Sequence, residues 1–318
     1  MMTPGSVLIR VLRGILAIVI AVSASFFILR LLPGGPTALM LDGVNDPELE
    51  RELLAQFGLD RLLLEQIWLF WGELLRGNLG ISFYSLKPVT EALLLRLPWT
   101  LLLMGLAFLI TLALSLVLGV RAAEKRGGLI DWMLQYLGAG GQAMFVPGLA
   151  VLLLAIFAVA LGWFPVGGAS DSWAVRAGGF TLFMNVLWHL AMPLLVLVLV
   201  QLGSLALTVR ATMVQVFTES YMVTAVAKGL KRSRVVWLHG VRTGLLPVLT
   251  VAGMQLGMLL GGAVLTETVF AYPGVGLFIY ESVLRQDFPV LQGAFILLAI
   301  TVVLANLIID LLARSLDP

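Results

Sequence analysis

The chain has 318 residues, 60% hydrophobic and 12% charged, with a mean hydropathy of +1.03 and a formal net charge of +2. Several apolar runs exceed the ~18 residues that cross ~30 Å of hydrocarbon, so the chain is an integral membrane protein, and so slight a positive excess gives no basis for nucleic-acid binding. With no cysteine and only His189 and His239, disulfides, thiolate chemistry and a multi-histidine metal site are excluded.

Taken in order, the first apolar run covers residues 7–32, led by Arg10 and Arg13. It is longer than a signal-peptide core and reads as an uncleaved first span. Residues 37–96 then turn acidic, with helical rhythm over 46–58 and 60–72, a break at 77–80 and a turn over 82–87 before Pro88. This predicts a small external helical subdomain, residues 33–88, between spans one and two. Its carboxylates form a solvated face. The remaining spans fall at 97–120, 132–161, 185–209, 245–270 and 289–312, within a membrane domain of residues 89–313. The third is long for one span and holds Pro147, which implies a kink or break, and the small residues of 138–141 permit close helix approach. Asp131 at its start reads as a solvated end residue, and Asp310 near the end of the last span as structural. His189 reads as an interfacial or hydrogen-bonded histidine. The fold class is therefore all-α, with six transmembrane helices. Basic residues gather at 10–13, 121–126, 210–242 and 314, which places these loops and both termini on the cytoplasmic side.

Residues 218–248 organise the rest. Lys228, Lys231, Arg232, Arg234 and Arg242 make this stretch too polar to cross a bilayer. Thr218 or Ser220 can cap a short helix with Glu219 near its positive end. Gly229 stops that helix in the left-handed region, where a glycine carries no Cβ penalty. A second helix resumes through Val235, Val236 and Leu238 until Pro247 marks the next span. Lys231, Arg232 and Arg234 read mainly as topology charges, whereas Ala225, Lys228 and Gly229 read as a docking element, with Ala225 a small contact residue fitting a cleft. His239 reads as a structural hydrogen bond. Beyond it, Gly253, Gly257, Gly261 and Gly262 suit tight packing, within the chain or against a partner. Glu267 has two readings, a backbone cap or subunit-contact pair and a substrate contact, of which the first is preferred.

Tyr221, Thr224, Ala225, Ala227, Lys228, Gly229, Leu230, Val235, His239, Arg242 and residues 245–247 resemble the cytoplasmic EAA loop of bacterial ABC importer permeases, more narrowly the dipeptide/oligopeptide/nickel permease family. The sequences RLLPGGP at 30–36, GNLG at 77–80, GWFPVGG at 162–168 and ETVFAYPGVG at 267–276 are similar to that family as well. Ser220 stands where the family commonly has Asp, and Thr243 and Gly244 where it has Asn and Ala. The resemblance implies a type I ABC importer permease fold whose loop 211–244 couples to an ATPase through Glu219, Tyr221, Thr224, Ala225, Lys228, Gly229, Leu230, His239, Arg242 and Pro247. It implies pore or subunit contacts at Gly257, Gly261, Glu267, Phe270, Pro273 and Gly274. It further implies a second permease, two ATP-binding subunits that hold ATP and magnesium, an external substrate-binding protein, and a bacterial inner-membrane location with both termini cytoplasmic. This chain itself lacks a GxxxxGK[ST] phosphate loop, so it is a transport subunit without its own ATPase site or cofactor. Di- or oligopeptides are the expected cargo. Nickel or another metal chelate, glutathione and haem are the alternatives within the same architecture. A stand-alone secondary carrier would want ionisable groups at mid-membrane, which the spans do not offer.

Overall fold

The computed structural model describes residues 4–31 and 61–315. The expected outer helix at 46–58 lies outside the described residues, as does most of the 30–36 motif. Among the described residues the regular elements are helices: α1 (Pro4–Leu31), α2 (Leu63–Leu75), α3 (Val89–Glu124), α4 (Leu129–Ala143), α5 (Val146–Ala160), α6 (Ser172–Ala177), α7 (Gly179–Val216), α8 (Ser220–Ala227), α9 (Arg232–Val269), α10 (Val275–Leu284) and α11 (Phe288–Ser315). Five of these are long and apolar enough to cross a membrane, and the bent pair of α4 and α5 brings the number to six when counted as one span.

The helices outrun the apolar stretches that announce them. Helix α3 begins eight residues before the expected 97, with Glu91 in its first turn and Arg121 in its last, each opposite in sign to the helix dipole it faces. Pro98, Pro193 and Pro247 all lie inside helices rather than ending them. In a membrane protein neighbouring helices and local adjustments satisfy the carbonyl a proline leaves free. Pro147 behaves differently: it sits in the first turn of α5, and the chain bends by 112° after α4. Met144 and Phe145 are extended there, as expected just before a helix that opens on proline.

The chain divides into two compact units. The first contains residues 1–98 and 274–304. Within it Phe26 packs on Phe70 at 5.2 Å, and Gly293 lies so close to Val89 that an added Cβ would meet its side chain at 2.7 Å. Buried Asp287 holds the 82–87 turn. It accepts hydrogen bonds from Ser82 Oγ at 2.5 Å, Phe83 N at 3.1 Å and Tyr84 N at 3.3 Å.

The second unit contains residues 99–273 and 305–318. Helices α4 and α7 approach through glycine: a Cβ on Gly141 would meet the Val200 carbonyl at 2.7 Å, and one on Gly203 would overlap the backbone of Leu137 and Gly138. Thus the 138–141 stretch does what small residues permit, bringing two backbones together.

Candidate functional site

Helix α8 is laid down by a tight turn. After α7, the amides of Thr218 and Glu219 donate to the carbonyls of Gln215 and Val216 at 3.0 and 3.2 Å. Glu219, not Thr218 or Ser220, occupies the N-cap position, in an extended conformation and without a side-chain cap bond. Thr218 Oγ1 instead donates back to Gln215 O at 2.7 Å, and Ser220 is already helical. Residues 218–220 are exposed, so the first amides of α8 without a backbone acceptor are open to solvent. At the other end Lys228 and Gly229 donate to Thr224 and Val226, and Gly229 takes φ +73°. The sign of that φ is the reason for glycine here.

No separate second helix follows. Residues 232–269 form one continuous helix, with a π segment over Val235–Gly240 and Pro247 inside it. The π segment absorbs the joint between loop and span that the sequence places at Pro247.

Met222 and Ala225, three apart and therefore on one face, turn inward. They join a core made with Val120 and Ala123 of α3, Val209 and Met213 of α7, and Val235 and Val248 of α9. Ala225 is therefore not an outward contact residue; its smallness serves the chain's own packing. The outward face carries Tyr221, Val223, Thr224, Val226, Ala227 and Lys228, with Val223 and Val226 both 63% exposed. Beside it runs a groove of about 530 Å³ lined by Phe217, Val223, Val226, Leu230 and Val235, with Arg232 at its edge. Leu230 is half-buried, and Arg242 and Pro247 are exposed further along α9. The His239 ring takes no partner among the described residues, so the structural hydrogen bond expected of it is absent there; only its carbonyl is engaged by a side chain, Thr243 Oγ1 at 3.2 Å. Gly244, where the family commonly has Ala, packs on Met213: a Cβ there would meet the sulfur at 2.9 Å.

Two ion pairs brace this end of the unit. Arg232 Nε lies 3.2 Å from Glu124 Oε1, so Arg232 does more than mark topology. Asp131 is buried, at 1% exposure, rather than solvated. It pairs with Arg210, whose Nη2 donates to Oδ2 at 2.8 Å, and it accepts from Gly127 N at 2.8 Å.

A second candidate surface lies higher on α9. Gly257 and Gly261 have nothing within 4 Å of an added Cβ, so the tight packing expected of them does not occur among the described residues. Met254 and Met258 beside them are 73% and 79% exposed. With Met144, Gln201, Ser204 and Gln255 they border a cavity of about 640 Å³. Gln255 Nε2 donates to Ser204 Oγ at 3.3 Å, while its buried Oε1 has no partner. These amide and thioether side chains escape sequence reading, because a methionine or glutamine in an apolar helix has no distinguishing pattern.

The outer signature turns inward. Glu267 is fully buried and accepts from Thr100 Oγ1 at 2.8 Å. Its carbonyl accepts from Tyr272 N at 2.8 Å. Phe270, at 2% exposure, packs with Ala150, Met192 and Val196, and its carbonyl accepts from Gly168 N at 3.0 Å. Glu267 and Phe270 are thus both buried within the second unit. Pro273 is half-buried, and Gly274 supplies the extended N-cap of α10. His189 is buried, with Nδ1 2.9 Å from Asn185 O and Nε2 3.7 Å from Asp171. Among the described residues no group of three acidic or histidine side chains could hold a metal ion.

Residues 115–318 match the model of the family described as binding-protein-dependent transport system inner membrane component. The chain is 37% identical over 308 residues to a di/tripeptide transport system permease protein of Pseudomonas aeruginosa, covering 92% of each chain. It is 35% identical over 313 residues to a dipeptide transport system permease protein of Escherichia coli K12, again covering 92% of each. A glutathione transport system permease protein of Pectobacterium atrosepticum is 34% identical over 309 residues, covering 97% of this chain and 96% of that one. With its short outward-facing helix seated on three spanning helices and its relationship to these permeases along its length, the chain belongs to the family of binding-protein-dependent transport system inner membrane components.

Proposed function

We propose that the chain forms half of the translocation pore of an ATP-driven importer for di- and tripeptides and that α8 couples it to ATPase subunits. The seating of α8 carries this reading. Met222 and Ala225 lock the helix onto α3, α7 and α9, so a displacement of its outer face moves three spanning helices together. Tyr221, Val223 and Val226 leave that face apolar and free for a partner's cleft. In this reading both termini and the 210–242 loop are cytoplasmic, two ATP-binding subunits hold ATP and magnesium, and closure of that pair tips the spans outward. A second permease completes the pore, and an external binding protein delivers the peptide. Met254, Met258, Gln201, Ser204 and Gln255 line the path; without ionised groups, they accept peptides whatever their side-chain charge.

Docking is tested by Val223→Asp with Val226→Asp in the assembled complex. Both side chains point away from the core, so the permease should still accumulate while the ATPase subunits no longer co-purify. Retention of the ATPases with full uptake would remove α8 from the coupling role. Cargo is tested by competing labelled dipeptide uptake with unlabelled dipeptide, glutathione or a nickel chelate; displacement by glutathione alone would reassign the substrate. Reporter fusions after Gly127 and Arg234 should read cytoplasm and one near Gly77 the outside, and a periplasmic signal after Arg234 would overturn the orientation.

A further inference from the structure

Where α3 ends and α4 begins, beside the loop that carries α8, the chain encloses a pocket of about 850 Å³. Three cations line it, Arg121, Lys125 and Arg232, against one carboxylate, Glu124. Arg232 is shared with Glu124 at 3.2 Å, but the side chains of Arg121 and Lys125 have no hydrogen-bond or ion-pair partner among the described residues. Asp131 does not offset them, because it is buried on Arg210 and the Gly127 amide. The pocket therefore holds an uncompensated double positive charge.

The lining also includes the apolar Leu129 and Ile130 of α4. Leu129 is 74% exposed, and further along α4 the rings of Trp132 and Tyr136 lie 4.2 Å apart, tilted at 55°, with both residues exposed. Such aromatic pairs mark the level of lipid headgroups, where an amphipathic ring meets both water and hydrocarbon. A site with cations on one side and a membrane-level aromatic face on the other fits a phosphate joined to an acyl chain.

We propose that this pocket binds the headgroup phosphate of an acidic glycerophospholipid such as phosphatidylglycerol or cardiolipin. Arg121 and Lys125 hold the phosphate, and Arg232 divides its charge between the phosphate and Glu124. The lipid then bears on the loop that follows Gly229, so occupancy biases the position of α8. The inference rests on the orientation proposed above, which the Gly127 fusion tests separately.

The test uses the assembled importer, purified from membranes containing phosphatidylglycerol and cardiolipin, with retained lipids identified by native mass spectrometry. The wild type should keep acidic lipid through detergent washing, and the double variant Arg121→Gln, Lys125→Gln should keep about tenfold less or lower still. Arg126→Gln removes a charge from the same loop outside the pocket and should behave as wild type. Excess inorganic phosphate should not displace the lipid. A photoreactive phosphatidylglycerol added to the wild-type complex, which needs no variant, should label residues 121–132. Equal retention by the double variant, equal loss with Arg126→Gln, displacement by inorganic phosphate, or labelling confined elsewhere would each overturn the site. So would protection of Lys125 by the ATPase subunits without a lipid adduct, which would hand the pocket to a protein partner.

Discussion

Asp131 and Arg210 show how a single residue escapes a linear reading. In sequence Asp131 opens an apolar run beside a basic loop, and a carboxylate there is ordinarily solvated. Its partner lies 79 positions away near the C-terminal end of α7, and only the close glycine-mediated packing of α4 on α7 brings the two together. Removing one member of a buried pair costs about 3–5 kcal/mol, because the other is left uncompensated. Arg210 keeps 27% of its side chain exposed, which favours the lower end of that range. Asp131→Ala is therefore expected to lower the thermal stability of the purified permease complex markedly, measured by size-exclusion survival after heating. Asp131→Leu combined with Arg210→Leu should recover much of the loss, since no charge then stays buried. If the double change is as unstable as the single, the pair is not what holds these helices. Asp287 is the same lesson in the first unit: nothing around it in sequence announces that it anchors the 82–87 turn. His189 was legible because an imidazole near a span's end is readily satisfied within its own helix, as it is by Asn185 O four residues back, whereas the Thr100 partner of Glu267, 167 positions away, was not.

Elements were legible where local chemistry decides them. The six apolar runs, the stop at Gly229 and the break at Pro147 follow from side-chain size, φ preference and hydropathy, which need no knowledge of neighbours. Continuity across Pro247 was not legible, because whether a proline ends a helix depends on what satisfies the carbonyl it leaves, and that is tertiary. The inward turn of Ala225 was hidden for a related reason: on an eight-residue helix with apolar residues all round, only the core beneath α8 chooses a face. Gly229 gives a clean test. Nothing among the described residues lies within 4 Å of an added Cβ, so a substitution there is opposed by backbone strain and not by crowding. Gly229→Val should cost about 1 kcal/mol or more and shift the end of α8. Gly229→Asn, which tolerates the left-handed region, should keep peptide uptake and substrate-stimulated ATP hydrolysis close to wild type while Gly229→Val loses their coupling. Equal activity of the two variants would show that the φ +73° bend is dispensable. At the α4–α7 contact the opposite holds. Gly203→Leu must push apart backbones that already touch, so about 1–3 kcal/mol of overpacking should appear as reduced accumulation in membranes. Gly140→Leu, with open space around its Cβ, should not reduce it.

At the scale of the molecule, the spanning segments divide their surfaces unequally, and α9 is the most informative. Its inward side is closed: Ala252, Leu256 and Leu259 are buried within the unit. The opposite side leaves Met254 and Met258 exposed, with nothing among the described residues within 4 Å of a Cβ added at Gly257 or Gly261. Glycines spaced four apart with flexible thioethers between them provide a surface that admits a close backbone and adapts to it. Such a groove suits the proposed half-pore at the place where it would meet the proposed second permease. The absence of cysteine makes this directly testable, because the native chain is already a background for single-cysteine labelling. Gly257→Cys, in the assembled importer, should form a disulfide or a short bifunctional crosslink with a cysteine placed on the facing helix of the second permease. Its yield should fall when ATP binding closes the ATPase pair and the two halves rock apart. Leu95→Cys, exposed on the first unit, should give no such product. Failure of Gly257→Cys to crosslink in any nucleotide state, with ready labelling by a lipid-soluble maleimide, would place this face of α9 against lipid and send the search for the pore to another helix.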